Sequence, residues 1–287
     1  MTIEKQINTE IARIKKLVAS DMPKDSEDFN VRGELYRLAL ELAPHAREQD
    51  INYMREWLQL IPGEVGLDIA AGTGFLTRHL AQWSKSPVYA IDPSAVQLNA
   101  LKLRCPSEQV VAIHGSLSEA TTLKHFDGVI SQLDYVTSYG GLHHVLDIDG
   151  INRQHRLFKH VGLLLKQGGR FIAGDVGANT TLARHFTESV KKNCLTGHEE
   201  KWLSAERLRS ELTEDTGLAF VRSEIVPIVW EFKSLHEMAM FMRALHAYDM
   251  TDAEIIRDLS AVLGFVLAPD GRIKLSWPMM LFELRKK

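Results

Sequence analysis

The chain has 287 residues, 45% hydrophobic and 25% charged, enough apolar content to bury a sizeable core as one large domain or one domain with an insertion. Its 34 basic and 37 acidic side chains leave a net charge of −3 with Lys and Arg dispersed, which disfavours nucleic acid or any other polyanionic partner. Two cysteines far apart, Cys105 and Cys194, exclude a disulfide framework and a CxxC zinc site and suit a reducing compartment.

In chain order, the first stretch, "MTIEKQINTEIARIKKLVAS", scatters charges and has no apolar core of the secretory kind. No later apolar run is long enough to span a bilayer, so a cytoplasmic protein without membrane association is expected. Ile3, Ile7, Ile11, Ile14 and Leu17 keep helical spacing, as do Ile51, Met54, Trp57 and Ile61, and the pattern stops at Pro62-Gly63. Residues 1–60 therefore read as a helical lid. Beyond them strands and helices alternate, with strands at "VGLDIA" (65–70), "VYAID" (88–92), "VVAIHG" (110–115), "GVISQL" (128–133) and "RFIAGDV" (170–176). Such βα alternation implies right-handed crossovers and an open, doubly wound sheet.

After residue 176 the rhythm breaks into a helical insertion at about 177–203 and a helix near 204–213. A long strand follows at 218–232, and a last one in "IKLSWPMMLFELRKK" (273–287). Between them, Ser234 with Glu237 and Thr251 with Glu254 open two helices as capping boxes, and the second helix closes at Gly264. Residues 233–269 thus form a helical cap inserted between the last two strands, suited to covering a small ligand. The α/β core comprises 61–232 and 270–287, with a seven-stranded, mostly parallel sheet.

The turn "LDIAAGTGFLTRHLA" follows the first strand, where backbone amides approach a ligand in such sheets. A dinucleotide fingerprint would place glycines where Ala70 and Phe75 stand, and a Walker A loop would need a lysine that is missing. The pattern present is acid-x-(Gly/Ala)-x-Gly-x-Gly, carried by Asp68, Ala70, Gly72 and Gly74. With "VYAIDPSAVQLNALK" ending its strand on Asp92, and with "HFDGVIS" and "LLLKQGGRFIAGDV" further on, the chain resembles the class I S-adenosylmethionine-dependent methyltransferases of Rossmann-like fold over about residues 50–176. The branch acting on small molecules is the nearest look.

The resemblance implies S-adenosyl-L-methionine as cofactor. Asp68 would face its ammonium, Gly72 and Gly74 would bring backbone close to its methionine part with Phe75 beside them, and Asp92 would accept from both ribose hydroxyls with Pro93 against the adenine. Ser116 and Leu117 would flank the adenine edge, and Ser131 and Gln132, ending the fourth strand, would meet the methionine's amino end. The family often reads Ser-Asn-x-x-Leu-His-His-Val after that strand; here "SQL" is followed by "DYVTSYGG" and then "LHHV", as if eight residues were inserted. His143 and His144 are then the candidate bases, with Asp134, Tyr135 and Tyr139 on the same loop. Adjacent histidines on one turn are expected to point apart, and nothing fixes a third ligand, so no metal is assigned.

Trp230, Met238 and Met242 are candidates to line an apolar acceptor pocket, with core packing as the alternative. The acceptor is expected to be a small molecule, with carbon, oxygen, nitrogen and sulfur nucleophiles all open, in a monomer or homodimer. A nucleic-acid or protein methyltransferase on the same fold, or a non-catalytic binding protein, are the other readings.

Overall fold

The structure, a computed structural model, describes residues 1–20, 29–105 and 108–287. Three helices open the chain: α1 (Ile3–Val18), α2 (Phe29–Leu42) and α3 (Glu48–Leu58). The alternation follows as β1 (Gly66–Ile69), α4 (Thr77–Ser84), β2 (Val88–Asp92), α5 (Ala95–Arg104), β3 (Val110–His114), β4 (Leu133–Tyr139), α6 (Arg153–Leu164) and β5 (Leu165–Asp175). Short helices α7 (Thr181–His185), α8 (Lys191–Asn193) and α9 (Ala205–Arg209) lead to β6 (Leu218–Val226) and β7 (Val229–Phe232). The chain ends with α10 (Leu235–His246), α11 (Asp252–Val262), β8 (Phe265–Leu267), β9 (Ile273–Ser276) and β10 (Met279–Lys286).

Among the described residues, seven strands form one sheet in the order β3-β2-β1-β4-β5-β10-β6, parallel except for β10, which runs antiparallel to both neighbours. The expected doubly wound α/β sheet is therefore present, with its order reversing between β1 and β4. A second sheet, β7-β9-β8, is antiparallel. By packing, the chain divides into two compact units. One comprises Ile51–Ala178, Glu200–Val226 and Met279–Lys287, and the other Met1–Asp50, Asn179–Glu199 and Pro227–Pro278.

Three strand expectations change. The long strand expected at 218–232 is broken at Pro227, and the last one at Pro278, because proline has no N–H for a ladder and is excluded from strand interiors. The first half of the earlier one and the second half of the later one, β6 and β10, stay in the large sheet, and the other halves pair in the small one. The third change is "GVISQL", of which residues 128–132 form a turn. The amides of Val129 and Gln132 bond back to Phe126 and Val129, Ile130 is exposed, and Ser131 has a left-handed φ of 58°. The fourth strand is the next stretch, "LDYVTSY".

The core of the large sheet is made by apolar strand faces meeting α6. Phe158 of α6, Phe171 of β5 and Phe282 of β10 are fully buried, with ring centroids 5.2–6.2 Å apart. Each such ring stabilises the fold by roughly 1.5–3 kcal/mol through its burial. At the amino-terminal end of the strands, Tyr135 lies across its β1 partner Gly66, where a Cβ would fall 2.2 Å from the ring. Asp134 accepts from the Val65 amide at 2.8 Å and pairs with Lys166, and Arg170 holds Glu64 through two hydrogen bonds of 2.7 and 2.8 Å. This end of the sheet is thus closed by packing and ion pairs.

In the other unit, the Thr251–Glu254 capping box is complete, with Thr251 Oγ1 accepting from the Glu254 amide and Glu254 accepting from the Thr251 amide. At α10 the reciprocal bond shifts by one residue: Ser234 caps Glu237, but the Glu237 carboxylate takes the Lys233 amide. Gly264, at φ 78°, ends α11 with its amide on Leu259 O.

Candidate functional site

The carboxyl ends of β1, β2, β4 and β5 bring most of the candidate residues together. After β1 the chain turns through Ala70, Gly72 and Gly74, at φ values of 55°, 55° and 82°. The left-handed region costs a non-glycine residue roughly 1–2 kcal/mol, so Ala70 stands at a strained position. The two glycines serve different ends. A Cβ on Gly72 would meet only Gln97 Oε1, at 4.0 Å, so open space lies over the turn there. A Cβ on Gly74 would stand 3.0 Å from Cys105 Sγ and 3.2 Å from Leu101 Cγ, so this glycine lets the turn lie against α5. Packing against α5 is thus a second reason for glycine at position 74, beside the approach of backbone to a ligand expected there.

Asp92 closes β2 and spans the turn: Oδ2 accepts from the Gly72 amide at 2.9 Å and Oδ1 from the Ser94 amide at 2.8 Å. Burial pushes this carboxyl up, against those two amides, which pull it down. Asp68 is buried in β1 and accepts from Thr77 Oγ1 at 2.6 Å. Burial raises its pKa to about 7, opposed by the Thr77 hydrogen bond and aided by the negative charge of Asp92. Two carboxylates thus face one turn, a pair suited to a cationic, hydroxyl-bearing ligand.

The loop after β3 joins this edge. The Gly115 amide donates to Asp92 O at 3.0 Å, and a His114 ring nitrogen lies 2.9 Å from Pro93 O. Pro93 is exposed and Ser116 half-buried, with Ser116 Oγ 2.8 Å from Ser118 Oγ. The Leu117 side chain is in the core, and its carbonyl lies 2.6 Å from His160 Nδ1. A contact of Leu117 with an adenine edge is thereby confined to its main chain.

The second edge lies at the ends of β4 and β5. Gly141 stands against the glycine turn, where a Cβ would fall 2.3 Å from Ala70 Cβ. Tyr139 ends β4 over Gly174, with its ring centroid 6.4 Å from that of Phe75. "LHHV" follows β4 after two glycines, so there is no eight-residue insertion: the strand before it is "LDYVTSY" and not "GVIS". Ser131 and Gln132 precede β4 at the far end of the sheet, where the Ser131 amide donates to Leu163 O at 2.9 Å. They are corrected out of the candidate site, as is Tyr135, which the packing on Gly66 holds in the core.

His143 is buried, with Nδ1 2.6 Å from Asp175 Oδ1. Its ring lies against that of His144, centroids 3.9 Å apart and planes tilted by 41°, so the two do not point apart. Asp175, the last residue of β5, also accepts from the amides of Leu142 and Val176, each at 2.7 Å, and of His143 at 3.3 Å. Burial alone would raise this carboxyl. Attraction to His143 and the hydrogen bonds from its ring and from the backbone hold it below the ordinary aspartate value. Sequence reasoning missed Asp175 and Thr77. An acid closing a strand, as Asp92 closes β2, was the available signal for Asp175.

Trp230, Met238 and Met242 are fully buried in the other unit. Trp230 stacks on Trp277 at 3.8 Å and donates Nε1–H to Asp50 at 2.8 Å. Packing within that unit accounts for all three.

Residues 67–173 match the family described as a methyltransferase domain. A dimethylglycine N-methyltransferase from Parasynechococcus marenigrum (strain WH8102) is 28% identical over 153 residues, 52% of this chain and 50% of that protein. The chain thus matches about half the length of this relative. Among solved structures, the YcgJ protein from Bacillus subtilis superposes with a TM-score of 0.57 at 16% identity, over 84% of this chain and 99% of that one. A geranyl diphosphate C-methyltransferase from Streptomyces coelicolor A3(2), solved with Mg2+, geranyl diphosphate and S-adenosyl-L-homocysteine, does so with 0.51 at 11%, over 84% and 77%. At these identities the likeness of the structures is one of fold. No helix among the described residues is long and apolar enough to cross a membrane.

Proposed function

We propose that the chain, whose residues 67–173 match a methyltransferase domain, is a class I S-adenosylmethionine-dependent methyltransferase that transfers the methyl group of S-adenosylmethionine to a small-molecule acceptor. The observation that carries this reading is the Asp92 carboxylate, fixed by the Gly72 and Ser94 amides beside the open space over Gly72. A carboxylate so held has lone pairs left for two vicinal hydroxyls, while the buried Asp68 offers a partner for an ammonium. The residues present fit the group: Asp92 suits the hydroxyls of its nucleoside and Asp68 the ammonium of its amino acid. When bound, S-adenosylmethionine supplies a methyl group already activated by its sulfonium.

The chain's own part is alignment. Gly72 admits the ligand's backbone-facing side, Asp92 orients the ribose, Asp68 neutralises the ammonium, and Phe75 with Tyr139 presents an aromatic wall. His143 stands ready to take a proton from an acceptor. Support for a small acceptor comes from the dimethylglycine enzyme, and the C-methyltransferase neighbour keeps the acceptor atom open. Calorimetry with S-adenosylmethionine, S-adenosylhomocysteine and NAD tests the reading. Binding of the first two and not of NAD is expected, and tight NAD binding with no response to the others would end it.

A further inference from the structure

The His143–Asp175 contact carries a consequence for the acceptor. Asp175 uses both oxygens: Oδ1 accepts from the Val176 amide and faces His143 Nδ1, and Oδ2 accepts from the Leu142 and His143 amides. An ionised carboxylate only accepts, so Nδ1 of neutral His143 must carry the proton, and Nε2 becomes the basic nitrogen. The backbone on either side is also held. Gln154 Nε2 donates to Leu142 O at 3.0 Å and to Lys201 O at 2.8 Å, and the Lys201 amide donates to His143 O at 2.9 Å. The Trp202 ring lies 5.5 Å from the imidazole, centroid to centroid. A histidine that only filled space would not require this fixing of tautomer, ring plane and main chain together.

We propose that Asp175 is the positioning residue for His143 as general base, and that the acceptor of the methyl group bears a proton on the atom that is methylated: a hydroxyl, an ammonium or an acidic carbon, not a carboxylate. The inference rests on the methyl-transfer reading above. In the step, the bond from nucleophile to methyl carbon forms as the bond from methyl carbon to sulfur breaks, with its electron pair going to sulfur. The proton of the nucleophile passes to His143 Nε2. The resulting imidazolium is stabilised by the Asp175 carboxylate, which keeps its own charge throughout.

Asp175→Asn separates this from a structural role. An amide NH2 in place of Oδ2 would confront two backbone N–H groups, and in place of Oδ1 only one, so the NH2 turns toward His143. The imidazole must then accept at Nδ1 and carry its proton on Nε2. Two-bond 1H–15N correlation on the full chain with 15N-labelled histidine reads the tautomer, the His143 signals being identified by their loss in His143→Gln. The Nδ1–H form is expected in the wild type, which needs no variant to fold, and the Nε2–H form in D175N. An Nε2–H wild type, or a D175N tautomer equal to the wild type's, overturns the proposal. S-adenosylhomocysteine affinity should change by less than about twofold in D175N. If the wild type itself fails to bind S-adenosylhomocysteine, the methyl-transfer reading falls while the tautomer result stands.

Turnover is read as S-adenosylhomocysteine release on those small amines, phenols and carboxylic acids that the wild type methylates. With a proton-bearing nucleophile, kcat should fall about 10²–10⁴-fold in D175N with KM little changed, the range general-base catalysis supplies. Methylation of a carboxylate oxygen, undiminished in D175N, would overturn the assignment of acceptor class.

Discussion

The two edges of the crevice between β1 and β4 are built in different ways. On the β1–β2 side the geometry is local: Asp68, Ala70, Gly72 and Gly74 lie within seven residues, and Asp92 reaches the turn through a single hydrogen bond. On the β4–β5 side it is remote, with His143 held by an acid 32 residues away on the next strand. The first side repeats a backbone conformation that residue types announce. The second depends on the register of two strands, and no residue type announces that.

Gly141 is where the two edges touch, and changing it should have the largest effect. The Cβ of Gly141→Ala would lie 2.3 Å from that of Ala70. Overpacking of this kind should lower stability by about 3 kcal/mol in urea denaturation. Ala70→Gly removes the opposing methyl group and also the strain of a non-glycine residue at φ 55°. The double variant should therefore recover most of the loss, giving a coupling well above the few tenths expected of independent sites. Additive effects would mean that the edges do not meet at this pair.

That asymmetry explains what the sequence disclosed. The parallel strands 66–69, 88–92 and 110–114, with Asp68 inside the first and Asp92 closing the second, are legible because each strand is a short apolar run ended by a turn signal. The fourth strand was not, because Thr137 and Ser138, both fully buried, dilute its hydrophobic pattern, while the neighbouring "GVIS" mimics it from a partly exposed turn. The error displaced Ser131 and Gln132 to the wrong end of the sheet and created a false insertion before the histidines. His143 was still found, by its Leu-His-His-Val context, but its partner was not. The breaks at Pro227 and Pro278 were printed in the sequence and were overridden by the apolar runs around them.

Asp92→Ala tests the local edge alone. It removes an acceptor used by two amides and, in the proposed reading, by the ribose. S-adenosylhomocysteine affinity should weaken by about 2 kcal/mol, the scale of hydrogen bonds to a charged group. The His143 tautomer should be unaffected, because Asp175 and not Asp92 sets it. Unchanged affinity would move the ligand away from the turn.

Asp68 gives the same edge a pH dependence. Its folded-state pKa of about 7 lies above the unfolded value, so the native state holds the extra proton between roughly pH 4 and 7. The unliganded protein therefore loses stability as pH rises through that window. A ligand ammonium favours the carboxylate, so S-adenosylhomocysteine affinity should climb with pH to about 7, by at most about tenfold per unit, and level off above it. Asp68→Asn should flatten the profile. A wild-type affinity that does not vary from pH 5 to 7 would show that Asp68 does not face the ammonium.

Ser131→Gly should do least, and its smallness is informative. Ser131 is exposed at φ 58°, and its amide is satisfied by Leu163 O. Glycine adopts that φ without strain but is freer in the unfolded chain, so a net gain of only about 0.5–1 kcal/mol is expected. S-adenosylhomocysteine affinity should not move. A loss of affinity would return Ser131 to the ligand and require β4 to end before Asp134. The register that pairs Tyr135 with Gly66 and ends β4 at Tyr139 beside Gly174 contradicts such an arrangement. The far edge of the crevice, with its histidine and aspartate, therefore stands or falls with the inertness of this one serine.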